Sequence, residues 1–349
     1  MRPDRLRRAL LALLPALSAL ACQAAGPLPP AEPDPVVLFD HHVHLLGPRL
    51  VREWKSIGVP FSRPDAFYHS IDGWFDGSGN SPDGSALAGA VLVPMAHFYG
   101  NAEFRAALGL SLDEEQSAVR EENEHVAREA ARRPERTIAL ASADLLRPYA
   151  LAELAHMRRA FGVPGVKLHL GSAGFDFRDE AHLAALETAV TWVVSEDLWL
   201  LLHLDPQRRG TEASDVRRLL ERVLGPHPDL RVVIAHLGGS GGFGPWTQAV
   251  LATSTEWLAD EARAGRPRPG VRFDLSAVPM LRESEGVPPS TPEELAALAP
   301  ALRRLGLERL LFGSDFPVFD PREHARFLAE RTDLAPAELA RILAQRYPE

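Results

Sequence analysis

Two patterns alternate along most of this chain, and the alternation leaves few folds open. Short apolar runs recur at 36–44, 88–97, 137–144, 165–170, 198–204, 231–237, 271–277 and 309–314. Between them lie longer amphipathic stretches at 111–133, 148–161, 179–196, 211–224, 246–264, 291–305 and 320–331. A strand that is apolar on both faces belongs in a parallel sheet covered by helices. Eight such runs predict an α/β fold closed as a (β/α)8 TIM-like barrel, with a doubly wound open sheet as the competing arrangement. Ser111 with Glu114, and Thr291 with Glu294, read as capping boxes that start two of the helices.

Segment 46–87 breaks the pattern. It follows the first strand and is rich in Gly, Pro and aromatics, including Trp54, Phe61, Phe67, Tyr68, Trp74 and Phe75. Loops after barrel strands build the active-site face, so this inserted loop region is expected to wall the pocket. A packed structural insertion with a small helix is the other reading.

The N-terminus is a separate object. Arg2, Arg5, Arg7 and Arg8 precede an apolar stretch from Ala9 to Ala21 that ends in small residues. Residues 1–21 therefore read as a signal peptide, too short for a bilayer span. The single cysteine, Cys22, follows directly, where bacterial lipoproteins carry their lipidated residue; plain cleavage after Ala21 is the alternative. Residues 22–35 read as an Ala/Pro-rich tether, and 36–349 as the TIM-like barrel domain. The expected location is periplasmic or membrane-anchored. With one cysteine, disulfides play no part, and a net charge of −9 argues against a nucleic-acid partner.

The chemistry sits at the strand ends. The first strand ends in Asp40-His41-His42-Val43-His44, the fifth in His203, the sixth in His236 and the eighth in Gly313-Ser314-Asp315. Residues two apart on a strand share a face, so His42 and His44 project together and can chelate one cation. Neutral imidazole and carboxylate are the ligands of a catalytic zinc-like site that keeps a position open for water. Barrel active sites are assembled at these same ends.

Together, Asp40-x-His42-x-His44, Gly165-Val166-Lys167-Leu168-His169, the His203 strand, Ile234-Ala235-His236-Leu237-Gly238-Gly239 and Phe312-Gly313-Ser314-Asp315-Phe316-Pro317 resemble the amidohydrolase superfamily. More narrowly, they are similar to its amidohydrolase-related branch, which includes aminocarboxymuconate-semialdehyde decarboxylase-like enzymes. The resemblance spans roughly 36–345 and implies a barrel holding one or two divalent metals, zinc or manganese. By that resemblance His42, His44, His203 and Asp315 match metal ligands, and His236 the catalytic histidine.

Asp315 is then placed to take a proton from metal-activated water and pass it to a leaving group. His236 is expected to polarise a carbonyl or stabilise an oxyanion. Asp40 is expected to point away from the metal and support the site. Lys167 and His169 share parity and face the barrel interior. In binuclear relatives a lysine on this strand is carboxylated and, with His236, holds a second metal. One metal, with an unmodified Lys167 that meets an anionic substrate, is favoured here. His169 is a pocket candidate, as are His97 and Tyr99, although a structural histidine fits His97 too. His69, His125, His156, His182, His227 and His324 read as surface residues, and Trp192 and Trp257 as core.

The expected activity is metal-dependent hydrolysis of an amide, lactone or ester-like bond in a small molecule. Metal-dependent decarboxylation or C–C bond cleavage on the same barrel is the alternative. A lipoprotein that only binds a ligand is the reading from outside enzymology, and the complete ligand set speaks against it.

Overall fold

The computed structural model describes residues 38–61, 63–79, 87–204, 212–284 and 287–347. The expected signal peptide, Cys22 and the expected tether lie outside the described residues. The strands are β1 (Leu38–Val43), β2 (Leu87–Leu92), β3 (Thr137–Ala139), β4 (Ala141–Ser142), β5 (Gly165–His169), β6 (Trp199–His203), β7 (Arg231–Ile234), β8 (Gly270–Asp274) and β9 (Leu310–Leu311). All pair in parallel, in the orders β1-β2-β3 and β4-β5-β6-β7-β8-β9. β3 and β4 are one expected strand interrupted at Leu140, whose N–H still donates to the Leu92 carbonyl at 2.9 Å.

Hydrogen bonds also lead from the last strand back to the first. His41 N–H donates to Phe312 O at 2.9 Å, Asp315 N–H to His42 O at 3.0 Å and His44 N–H to Phe316 O at 2.8 Å. The architecture is a (β/α)8 TIM-like barrel, and the strand order follows the sequence as that fold requires.

Side-chain parity separates two cores. Val166, Leu168, Leu200, Leu202, Val232 and Ile234 face the surrounding helices. Phe39, Trp199, Leu201, Val233 and Leu311 face inward and pack with Tyr347. Each fully buried Leu or Val contributes roughly 1.5–3 kcal/mol. Lys167 falls between Val166 and Leu168 and so points inward, while His203 continues the inward row of Trp199 and Leu201.

The helices match the amphipathic stretches: α5 (Leu112–Ala130), α6 (Ala150–Phe161), α7 (Glu180–Ser195), α8 (Ala213–Arg218, continued to Leu224 as a π-helix), α9 (Pro245–Arg263), α10 (Pro292–Leu305) and α11 (Pro321–Arg331), after a short α4 (Ala102–Leu108). Both capping boxes form, at Ser111/Glu114 and Thr291/Glu294. A last helix, α12 (Pro336–Ala344), was not anticipated. It delivers Tyr347 to the inner core beside Trp199, 6.0 Å between ring centres.

The inserted segment holds α1 (Pro48–Ser56), α2 (Asp65–His69) and α3 (Ile71–Gly79). Tyr68 and Trp74 are fully buried. Phe67 packs on Phe316 at 5.0 Å, directly beside Asp315. The insertion is therefore packed structure, and through Leu46 and Trp54 it also walls the central pocket. One surface assignment is corrected: His324 on α11 is fully buried. Its Nε2 donates to the Leu275 carbonyl at 3.0 Å and its ring stacks on Phe319. Burial pushes its pKa down to about 4.

Candidate active site

The pocket opens at the C-terminal ends of the strands. Its polar lining includes His44, Lys167, His169, His203, His236 and Asp315, and its apolar wall includes Trp54, Met95, Phe98 and Met280. Close approach is built in at Gly313, where a Cβ would come within 2.9 Å of both His42 Cβ and Ser276 Cβ. Backbone strain collects here too. Asp315 has φ 61°, and His236, Leu237 and Ala277 each have φ 53°. Non-glycine residues held in that region cost on the order of 1–3 kcal/mol each, and such outliers cluster at functional sites.

Three expected ligands converge. Asp315 Oδ1 lies 3.3 Å from His44 Nε2 and 3.7 Å from His42 Nε2. The ligand atoms of His42, His44 and Asp315 all fall within 4.8 Å of one another, as do those of His42, His236 and Asp274. His203 stands beside them: its ring is 4.5 Å from His236 and stacks on His169 at 3.8 Å.

The hydrogen bonds behind these rings fix their tautomers. His44 Nδ1–H donates to the Val93 carbonyl at 2.8 Å. His236 Nδ1–H donates to the Ser276 carbonyl at 2.8 Å. A carbonyl only accepts, so in the neutral form of both rings the lone pair is on Nε2. His42 Nδ1–H faces the Asp274 carboxylate at 2.9 Å. Metal-binding histidines characteristically donate the second ring N–H to a carboxylate or carbonyl. The Nε2 of His203 is buried without a hydrogen-bond partner among the described residues. An orphaned buried nitrogen beside three converging ligands fits a cation-binding site.

Electrostatics agree. Burial, and next the Lys167 charge, hold His42 well below the ordinary histidine range. Burial does the same to His97 and His203. They are therefore neutral, the form that binds metal.

Asp40 sits two residues before His42, and strict alternation would give both the same face. The pairing register is irregular between Asp40 and Val43, which breaks the alternation. The Asp40 carboxylate turns to the last strand's exit, accepting from Ser314 N at 2.9 Å and Ser314 Oγ at 2.5 Å. Burial raises its pKa to about 7 against these hydrogen bonds.

Lys167 Nζ donates to His42 Nε2 at 3.2 Å, placing it against the ligand cluster. His97 stands behind His169, 4.8 Å between rings, with Nδ1 2.9 Å from Ser142 Oγ. Tyr99 faces away from this pocket. Its hydroxyl donates to Glu53 Oε2 at 2.6 Å, and it lines a separate outer cavity with Arg49 and Glu122. Sequence reasoning missed Asp274 and Ser276. The available signal was their place just beyond the apolar run of β8, the same position that singled out His203.

The amidohydrolase family profile matches residues 39–345. No curated protein matches the sequence. Among solved structures, the chain is similar to the manganese-bound 5-carboxyvanillate decarboxylase of Novosphingobium aromaticivorans, at 13% identity and TM-score 0.54, covering 91% of this chain and 98% of that one. It is similar to 2,6-dihydroxybenzoate decarboxylase from Rhizobium, at 17% identity and TM-score 0.54, covering 89% and 96%. It is also similar to 4-oxalomesaconate hydratase from Rhodopseudomonas palustris, at 14% identity and TM-score 0.52, covering 88% and 93%. At such identities the likeness concerns the fold. The family match over most of the chain, on a barrel whose strand ends gather a metal-binding His/Asp cluster, shows that this protein belongs to the amidohydrolase family of enzymes.

Proposed function

We propose that this enzyme is a metal-dependent hydrolase of amide, lactone or ester-like bonds in small molecules, with one divalent metal, zinc or manganese, per chain. The observation that carries the reading is Asp315, whose carboxylate lies within 3.3 Å of His44 Nε2 and lines the pocket. A divalent cation held by His42, His44, His203 and Asp315 supplies Lewis acidity toward water and toward a carbonyl. Asp315 accepts the proton from the attacking water and delivers it to the leaving group.

With Nδ1–H committed to Ser276 O, His236 turns Nε2 to the pocket. As a neutral ring it accepts a proton or joins the ligands, and once protonated it donates to a carbonyl or an oxyanion. Trp54, Met95, Phe98 and Met280 suit an apolar or planar substrate body, and Lys167 suits an anionic group on it.

One observation favours a second reading, decarboxylation of a carboxylated aromatic. It is Lys167 and an aromatic wall within one pocket, on a fold shared with two decarboxylases of aromatic acids. Turnover of lactones, amides and carboxylated phenols in water labelled with heavy oxygen separates the two. Hydrolysis places the label in the product acid. Release of carbon dioxide without label incorporation would overturn the first reading in favour of the second. Export, with Cys22 as a lipid anchor, is part of the proposal.

A further inference from the structure

Asp274 ends β8 fully buried, and its two oxygens have different company. Oδ1 accepts from His236 N at 2.8 Å and Ser276 N at 3.1 Å, and also from the Ser276 hydroxyl. Oδ2 has the His42 ring, with Nδ1 at 2.9 Å. Every partner of Oδ1 is a donor, so that position must be an acceptor. The Ser276 hydroxyl spends its one proton on Asp274, so it can only accept from the two imidazoles beside it, His42 Nδ1 at 3.1 Å and His236 Nδ1 at 2.9 Å. On the far side of the His42 ring, Lys167 Nζ is a donor 3.2 Å from Nε2, within hydrogen-bond distance, while the Asp315 carboxylate oxygen stays beyond it at 3.7 Å. Acceptors surround Nδ1 and a donor faces Nε2, which is the pattern of a ring protonated on Nδ1.

We infer that Asp274, with Ser276, is the positioning residue that sets the tautomer of His42 and so turns its Nε2 lone pair toward the ligand cluster. The inference rests on the metal-enzyme reading only for its consequence, because the tautomer belongs to the protein alone. The same carboxylate anchors the backbone of His236, at φ 53°. It thereby holds two strand ends in one register.

The donors around Asp274 constrain the isosteric variant. In Asp274→Asn the amide oxygen must take the Oδ1 place, because three donors point at it. The amide NH2 is then forced against His42 Nδ1, where it requires a lone pair. A lone pair on Nδ1 puts the proton on Nε2 and removes the ligand. Asp274→Ala leaves backbone donors unsatisfied and costs more stability, yet it leaves the ring free to choose its tautomer. The two variants should therefore rank in opposite order for stability and for metal affinity.

Three measurements test this. Side-chain nitrogen NMR of the metal-free wild type should show His42 protonated on Nδ1; a His42 protonated on Nε2 overturns the inference, even if neither variant folds. Chelator competition should show Asp274→Asn binding zinc about 10- to 100-fold more weakly than wild type, and more weakly than Asp274→Ala. Thermal unfolding should place Asp274→Ala below Asp274→Asn. If Asn binds zinc as well as or better than Ala, Asp274 acts through packing alone and the inference is overturned. A wild type that binds no metal while His42 shows the Nδ1 proton would sink the metal reading and leave the tautomer assignment standing.

Discussion

Asp40, within the first strand, holds Ser314 at the exit of the last, taking its backbone N–H at 2.9 Å and its hydroxyl at 2.5 Å. The contact spans 274 positions of sequence and lies where the barrel returns on itself. Ser314 is followed by Asp315, whose φ of 61° is costly for a side chain with a Cβ. Asp40 thus holds the turn that presents the Asp315 carboxylate to the pocket. Ser314→Ala removes one donor from a buried acceptor and should destabilise the protein by ~1–3 kcal/mol. Metal retention should fall with it, as Asp315 loses its support. Unchanged denaturant midpoint and metal content would show that the contact is incidental.

Asp315→Asn separates binding from proton transfer. Asn still offers an oxygen to a cation but takes up no proton at neutral pH. Turnover on an established substrate should drop by about a hundred- to ten-thousand-fold, with part of the metal retained. Near-normal turnover in that variant would remove Asp315 from the proton path.

Glu122 on α5 gives a pH test away from the metal ligands. It is buried, with Oε2 accepting from Gly47 N at 2.8 Å. Burial, against the hydrogen bonds to Gly47 and Met95, pushes its pKa from 4.5 up to about 8. Between those values the folded protein holds a proton that the unfolded chain has released. The stabilisation from Glu122 is therefore full below about 4.5 and is lost as pH rises toward about 8. Glu122→Gln should flatten this slope in urea titrations of metal-free protein and gain most on wild type above the window. Parallel slopes in the two proteins would refute it.

The barrel was legible because periodicity is local: eight apolar runs alternate with helical spacing, and each was found where the pattern stood. His42, His44 and Asp315 were legible for a related reason, as ligand-type residues at strand ends. What escaped depends on register between distant strands. Asp274 looks like any polar residue ending a strand until β8 is laid beside β7 and its carboxylate meets His42 and His236. Asp40 turns away from the metal as expected, but through an irregularity of the strand, since alternation alone would put it on the face of His42. His324 shows the same limit from a helix, since its partner carbonyl, Leu275, belongs to another element 49 positions away. Tyr99 was placed near the pocket because it follows β2, but the short helical turn at Ala96–Gly100 rotates it outward.

The leader can be tested independently of the barrel. We propose that cleavage leaves Cys22 as the first residue, carrying lipid. A single acyl chain binds membranes only marginally, so stable anchoring needs more than one chain. The wild type should accordingly fractionate with membranes and require detergent, while Cys22→Ser should be soluble. A soluble wild type beginning with unmodified Cys22 or Gln23 would refute lipidation.

Lys167 decides the metal count. Its Nζ donates to His42 Nε2 at 3.2 Å, within a pocket that also holds His203 and Asp315. If the lysine were carboxylated, its anionic end could bridge two cations. Left as an amine, it offers no bridge, and His42, His44, His203 and Asp315 suffice for one cation with a position open to water. We expect one tightly bound metal per chain and an intact-mass spectrum without added carbon dioxide on Lys167. Lys167→Met should then raise KM severalfold for an anionic substrate, because the variant loses a positive charge that faces the pocket. Its metal content should stay at one equivalent. Two equivalents in the wild type, falling to one or none in Lys167→Met, would establish the bridge and overturn the single-metal site.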